Sequence, residues 1–590
     1  MRKISVLLLT IAVCGGLPLA CRSSERSKGA ESLGGTGAIV LITVDGLVPS
    51  ELSLFGGSIP VPHLARLASE GRAWGDAWTA CPMPRPAAAT YLTGLVPERH
   101  GVIDDVGPGL PDSAPTLATA LAERGYETAA FPDSVLLGRN SGLLKGFSVV
   151  DEPGPAGMGW ERWVIRARDA GETAAHFRDW LASLRPGARC FAWLHFSGPL
   201  LARMDPNKPP VENAIGEFDR SVGAIVQALD ARGQASGIAV VVAGTVGDPG
   251  GGGEELPGLG FSLGDRAVEV PVVARLPGGS GELAWTEGAV AWAPDVFATL
   301  ARQGGISLPG AEGSDLGASG PGERIVFSRS WAPLAQMGWP ALRGARLGEA
   351  CRIEGFEGRS GMTGKGRGAV PADVDARLAA ALSGLADPPA PRLDEEAIGR
   401  ILREMGVEPQ PAPASGRSVE AANRRAAAEA LWRSRGSLQK GLAREALIAL
   451  GEVFRGDPQA RVALSDGGLF LLLGGESVAK GRELLREGAA RYPRSLDSLH
   501  WLAHGEWQVR QGPAARLVEI LVEAHPRDPD LLYDVACARS LANDLPGAEG
   551  WLRRAFAAGY SNWEHVTVDP DLRALRESPR FAPLMRELSR

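Results

Sequence analysis

The run AIVLITV at residues 38–44 is apolar but for Thr43 and rich in β-branched side chains. A run without alternation fits a strand buried on both faces of a parallel sheet. It stops at Asp45-Gly46. Runs of the same character recur at residues 128–131, 190–195, 238–243 and 270–275 and predict further strands. Between them the apolar positions change to helical spacing, with Leu64, Leu67 and Ala68 in 61–71 and Leu117, Leu121 and Ala122 in 115–125. Residues 172–184 and 212–231 also read as helices. Strand and helix alternate, which predicts an α/β domain.

The pattern changes in the second half. Residues 355–368 are rich in Gly and basic side chains, and PQPAPASG at 409–416 is Pro-rich, so the α/β domain is expected to span 38–407 with a linker at 408–417. Beyond 418 the strand signals vanish, and Ala, Leu, Arg and Glu recur in helical spacing. Turns containing Pro458, Pro493 and Pro526 are 35 and 33 residues apart, close to the roughly 34-residue period of a tetratricopeptide helix pair. DPDLRALRESPRF at 569–581 resembles the closing segment of such arrays. Residues 418–590 are therefore expected to form an all-α tetratricopeptide-like domain. Stacked helix pairs expose a groove without chemistry of its own, so a protein or peptide is the expected partner. Trp501, Trp507, Trp551 and Trp563 are candidate anchors.

The N-terminus changes the expected location. Arg2 and Lys3 precede an apolar run at 4–13, too short to span a bilayer but fitting a secretory signal. Leu17-Pro18-Leu19-Ala20-Cys21 resembles a bacterial lipoprotein box, with Pro18 where an aliphatic residue is usual. Residues 1–21 thus read as a signal peptide, Cys21 as the lipidation site and 22–37 as a tether. The chain is expected to be exported to the bacterial cell envelope and held at a membrane as a lipoprotein. Cleavage by an ordinary signal peptidase is the alternative. A net charge of -7 leaves no cation excess for a phosphate backbone, so nucleic acid is not an expected partner. Cys81, Cys190, Cys351 and Cys537 form no CxxC pair, and neither a disulfide framework nor a zinc ribbon is expected.

Several segments resemble, in order and spacing, the sulfatase branch of the alkaline-phosphatase superfamily. They include LITVDGLVPSELSLFGG at 41–57, VPHLARLASEGRAWGDAWT at 61–79, YLTGLVPERHGV at 91–102, FSLGDRAVEVPVVARLPG at 261–278 and LDEEAIGRILREMGV at 393–407. The resemblance implies a central, mostly parallel sheet flanked by helices. It also implies a nucleophile at a helix start, where backbone N–H groups favour an anion, and one or two metal ions held by Asp and His. With the register set by Thr93-Gly94, the nucleophile position falls on Pro84, which has no hydroxyl or thiol. Pro86 is kept, while Ala87 and Ala88 stand at polar and basic positions. Where the family carries Asp-His-Gly, Thr245 and Val246 precede Gly247, and a shift by three offers Asp248 instead. The later His falls on Leu259, and the Asp and His of a middle loop fall on Gly198 and Leu200. No His occurs between His195 and His500, so a zinc-type site cannot be built from the second half of the domain.

Asp45 remains as the first-strand carboxylate, either a cap or turn residue at a strand end or a lone metal ligand or the relic of one. His63, His100 and His195 read as locally satisfied rather than as ligands. Cys81 with Arg85 has the Cys-to-Arg distance of a sulfatase nucleophile motif, but the intervening Pro82-Met83-Pro84 puts proline at the wrong position, so it is the alternative catalytic pair. The glycines at 250–253 lack the Lys-Ser or Lys-Thr of a phosphate cradle. The expected function is a catalytically degenerate sulfatase-like envelope protein acting as a binding scaffold, without a cofactor. The alternatives are an active hydrolase of sulfate or phosphate esters with a single divalent metal, and a non-hydrolytic sensor of an anionic ester or glycan.

Overall fold

The computed structural model describes residues 37–588, apart from 154–163, 206–209, 233–236, 252–254, 278–289, 318–322, 357–358, 363–368, 387–392, 412–417, 474–476, 508 and 510. The expected signal peptide, Cys21 and nearly all of the tether lie outside these residues.

Seven strands form one mixed, mostly parallel sheet. They are β1 (Ala38–Asp45), β2 (Arg72–Trp78), β3 (Glu127–Pro132), β4 (Val149–Val150), β5 (Cys190–Phe196), β6 (Ile238–Val246) and β7 (Glu269–Arg275), in the order β2-β7-β6-β1-β5-β3-β4. β1 sits in the centre, parallel to β5 and to β6, and only β7 and β2 add antiparallel edges. The unbroken apolar run is explained by its position. Ile39 and Leu41 enter one hydrophobic cluster, whereas Val40, Ile42 and Val44 enter another on the opposite face.

A second sheet of β8 (Ile325–Ser330), β9 (Leu342–Leu347), β10 (Ala350–Glu354) and β11 (Arg359–Met362) is antiparallel throughout. β11 lies inside the Gly-rich stretch that reads as a domain end in the sequence. Pairing with β10 supplies the backbone bonds that its composition does not advertise.

After residue 418 the chain is helical: Ala421–Gln439, Ala443–Gly456, Arg461–Leu473, Val478–Arg491, Leu496–Glu506, Gln511–Ala524, Pro529–Leu541 and Leu545–Ala557 follow one another. Pro458, Pro493 and Pro526 lie in the turns before the third, fifth and seventh of these, where a missing N–H costs nothing. Helix Glu395–Glu404, which the sequence reads as closing the α/β domain, puts Ile398, Ile401 and Leu402 into a core shared with Leu517 and Leu521. Residues Thr36–Arg590 form one compact unit. Its two parts share a core in which Met83, Phe261, Met337 and Trp339 pack with Ala427, Leu431 and Phe470, and the Trp339 indole donates to Asp457 at 2.8 Å.

Candidate functional site

Because β1, β5 and β6 run side by side in one direction, their C-terminal ends converge, the usual place for chemistry in such sheets. Asp45 ends β1, His195 and Phe196 end β5, and Thr245 and Val246 end β6. The chain then turns at Gly46, whose φ of +84° and 2.5 Å spacing from a would-be Cβ to the Leu200 nitrogen leave room for glycine alone.

Asp45 is 1% exposed, and its carboxylate is spent inside the fold. The Thr245 hydroxyl donates to Oδ1, His195 Nε2 reaches Oδ2 at 2.9 Å, and the Ser197 hydroxyl lies 3.4 Å from the same oxygen. On the other side of the imidazole, Thr43 Oγ accepts from the Trp193 indole at 2.9 Å and donates to the Leu194 carbonyl at 3.2 Å. That leaves Thr43 Oγ an acceptor for His195 Nδ1, 2.9 Å away. Both ring nitrogens thus face acceptors, which favours the imidazolium. Burial works against that charge, but the Asp45 carboxylate outweighs it and holds the His195 pKa above its ordinary value. Asp133, at the end of β3, accepts from the Ser197 amide at 2.7 Å, and burial pushes its pKa up to about 6 against the pull of His195.

This donor set does not fit a divalent cation. Such an ion needs lone pairs from several Asp, His or Cys side chains. Here hydroxyls and an imidazolium aim hydrogens at the single central carboxylate, and the described residues hold no group of three or more His, Cys, Asp or Glu placed to ligate a metal.

The helix Pro84–Thr93 starts beside this network. A helix start normally leaves free N–H groups for an anion. Pro84 and Pro86 have none, Arg85 N–H donates to Asp105 Oδ1 at 2.9 Å, and Ala87 N–H closes the first turn on the Met83 carbonyl at 3.1 Å. The anion position is therefore taken by a carboxylate of the chain itself. Burial pushes the Asp105 pKa up to about 7, although the Arg85 amide stabilises its ionised form. The Arg85 guanidinium points to backbone, with Nε and Nη2 on the Leu136 carbonyl at 3.2 and 3.1 Å and Nη1 on that of Gly107 at 3.0 Å. Cys81 is fully buried, and that burial, reinforced by Asp105, Asp104 and Glu98, raises its thiol well above the ordinary range. It offers no thiolate.

The positions at which the resemblance calls for His come together without imidazoles. Val246, Leu200 and Leu259 meet in one apolar cluster with Leu136, Met204 and Trp432. Of the two registers at β6, Thr245 is the residue that touches Asp45, whereas Asp248 pairs with Arg266 at 2.6 Å and Arg203 at 3.3 Å. Gly198 merely opens the helix Gly198–Met204. His100 is neutral, its pKa lowered to about 3 by burial, with Nδ1 accepting from Val102 N–H at 3.1 Å. The His63 backbone amide caps onto Asp219 at 3.1 Å.

Helix Ala421–Gln439 closes over the mouth. Leu431 and Trp432 join Met83, Asp105, Leu136 and Phe261 around a cavity of about 50 Å³, room for a few waters rather than an ester. The helix is fastened by the Ile165 amide, which donates to Gln439 Oε1 at 3.1 Å, and Gly436 lets it approach the Met204 carbonyl closely.

Asp105, Asp133 and Ser197 were not singled out from the sequence. Asp133 carried a signal, since like Asp45 it is an acid ending an apolar strand. Asp105 sits in the loop Asp104-Asp105 with nothing local to mark it.

The Sulfatase family profile matches residues 38–151. Over 101 residues the chain is 38% identical to the steryl-sulfatase of Mus musculus, an alignment covering 15% of this chain and 16% of that protein. Over 96 residues it is 29% identical to the Delta 4,5-hexuronate-2-O-sulfatase of Bacteroides thetaiotaomicron, covering 16% and 18% respectively. The chain thus spans under a fifth of the length of these curated relatives. Among solved structures, the phosphonate monoester hydrolase of Agrobacterium radiobacter is similar with a TM-score of 0.42 and 17% identity, over 59% of this chain and 94% of that one. The residues matched by that profile, 38–151, carry β1, Cys81 and the helix Pro84–Thr93.

Proposed function

We propose that the α/β part is a sulfatase-derived scaffold without ester hydrolysis, and that the helical region is a tetratricopeptide-like array that binds a protein or peptide partner. One observation carries the first half: Asp105 takes the only amide left at the start of helix Pro84–Thr93. Transfer of a sulfuryl or phosphoryl group needs donors aimed at the charge on its oxygens. In their place stand two prolines and the Asp105 carboxyl, which occupies the one remaining amide.

The names of the relatives favour a second reading, an active sulfate or phosphate ester hydrolase. They support a sulfate ester as the ancestral ligand. Turnover would need a nucleophile, and this place offers Pro84 or the buried Cys81. A non-hydrolytic sensor of an anionic ester or glycan is less favoured, because Asp105 lines the small cavity at this place and buried Asp45 acts on it through space. Export and a lipid on Cys21 complete the proposal and would hold the scaffold at the cell envelope.

The test is native mass spectrometry of the purified chain after incubation with Ca²⁺, Mg²⁺, Mn²⁺ and Zn²⁺. The expected result is no ion retained in whole-number ratio. One ion per chain, lost in Asp45→Asn, would return the protein to the metal-dependent hydrolases.

A further inference from the structure

The parallel strands also converge at their N-terminal ends. Ala38 of β1 pairs with Cys190 of β5 and with Ile238 of β6, and Glu127 of β3 pairs with Cys190. The chain enters the domain at this edge, where the Gly37 carbonyl accepts from the Cys190 amide at 3.0 Å. Helices Leu117–Glu123, Ala170–Ser183 and Val211–Ala231 end at the same edge, a short loop before β3, β5 and β6 respectively.

Four arginines stand in those loops. Arg232 Nη1 donates to the Leu181 carbonyl at 2.7 Å and Nη2 to that of Arg185 at 3.0 Å. Arg189 donates to the Arg124 carbonyl, and its guanidinium lies 4.7 Å from the centre of the Tyr126 ring. Carbonyls and an aromatic ring orient a cation without neutralising it. Arg124 is partly exposed, and the Arg185 side chain is 86% exposed and 3.6 Å from Glu127. Against these four cations stand Glu127 and the exposed Glu123, while the neighbouring Arg66 and Arg275 are matched by Glu70 and Asp230. The excess of cations here runs against the charge of -7 on the whole chain. Because charges are screened beyond ~10 Å at about 0.1 M salt, a second surface meets the local excess rather than the total.

We infer that this edge of the sheet rests on an anionic lipid surface. Its charge and the entry of the chain at Gly37, with residues 22–36 leading there from Cys21, choose that occupant. A lipid on Cys21 brings the edge to the headgroups, and the arginines select the face of the domain that meets them. The Asp45 network, at the opposite ends of the same strands, then faces away from the membrane. This rests on the reading of Cys21 as the anchor and adds an orientation to it.

Flotation with vesicles tests it, using the unlipidated chain from residue 22, whose compact unit begins at Thr36. The probes are vesicles of phosphatidylglycerol and phosphatidylcholine in equal parts, vesicles of phosphatidylcholine alone, and polyglutamate. Binding to the anionic vesicles is expected to be at least tenfold tighter than to the neutral ones, and to weaken at least fivefold between 0.1 and 0.5 M salt. Arg124→Gln combined with Arg185→Gln is expected to weaken it at least fivefold. Both residues hold their neighbours through backbone carbonyls, so the fold is kept, as circular dichroism checks. Arg400→Gln, on helix Glu395–Glu404, is expected to change binding less than twofold. Binding that the double variant leaves unchanged, or that Arg400→Gln weakens as much, overturns the proposal, as do equal affinity for both vesicles and no binding to either. Tighter binding of polyglutamate, lost in the double variant, reassigns the edge to an acidic protein and overturns the membrane assignment. Mass spectrometry of the full chain recovered from a bacterial envelope tests the anchor separately, and an unmodified Cys21 overturns lipidation while the vesicles still decide the edge.

Discussion

Asp45 ends β1 with its carboxylate engaged inside the fold. Its carboxylate balances the His195 imidazolium and receives the Thr245 hydroxyl, with neither side chain more than 1% exposed in the ion pair. Removing one partner of a buried pair strands the other, at a cost of about 3–5 kcal/mol. Asp45→Ala is therefore expected to lower the stability by about that amount, measured by urea unfolding at pH 7. A loss near zero would mean the pair is not formed. Asp105 makes a pH prediction. Its carboxyl moves from an ordinary value of 3.8 to about 7 in the fold, so between those values the folded chain keeps a proton that the unfolded chain releases. Stability then falls as pH rises through that window. Asp105→Asn cannot ionise and still accepts from the Arg85 amide. Relative to the parent it should gain stability steadily from pH 4 to pH 7, and a parallel pair of curves would refute the shift. The sequence shows Asp45, because it ends an unbroken apolar run. It hides Asp105 and Ser197, whose roles arise from loops that only the folded sheet brings together.

At the scale of elements, the helix Pro84–Thr93 begins with two prolines and one amide that Asp105 takes. Both prolines are legible in the sequence. The group that occupies the remaining amide is not, because Asp105 lies 20 residues away. Arg85 shows the same limit. Its spacing from Cys81 suggests a catalytic pair, yet the fold turns the guanidinium onto the Leu136 and Gly107 carbonyls. Arg85→Lys cannot span both carbonyls with a single ammonium. It should cost about 1–3 kcal/mol, the penalty for a buried polar group left unpaired, and chemical denaturation measures it. The reading of strands was most complete where burial on both faces removes ambiguity, as in β1, β5 and β6. β11 escaped because antiparallel pairing can recruit a Gly-rich segment that has no pattern of its own.

Across the whole molecule, two regions of different composition share one core. The Pro-rich stretch at 409–416 marks the change in composition, but no local pattern says where the Ala-rich face of helix Ala421–Gln439 will pack. Ala427, Ala428 and Ala430 are small enough to bring that helix against Met83 and Phe261. A chain ending at residue 407 would bare Phe261, Met337 and Trp339, and it is expected to aggregate where the full chain stays in solution, as size-exclusion chromatography would reveal. A soluble, monomeric fragment would show that the two regions fold independently. The same packing closes the mouth above Asp105, and on the proposed reading cover, prolines and internal carboxyl act against hydrolysis. Turnover of a panel of aryl sulfates, phosphate monoesters and phosphodiesters, with divalent cations supplied, tests this most directly. The account predicts no rate above that of folded Asp45→Asn for any ester, and a turnover that Asp45→Asn abolishes would contradict it.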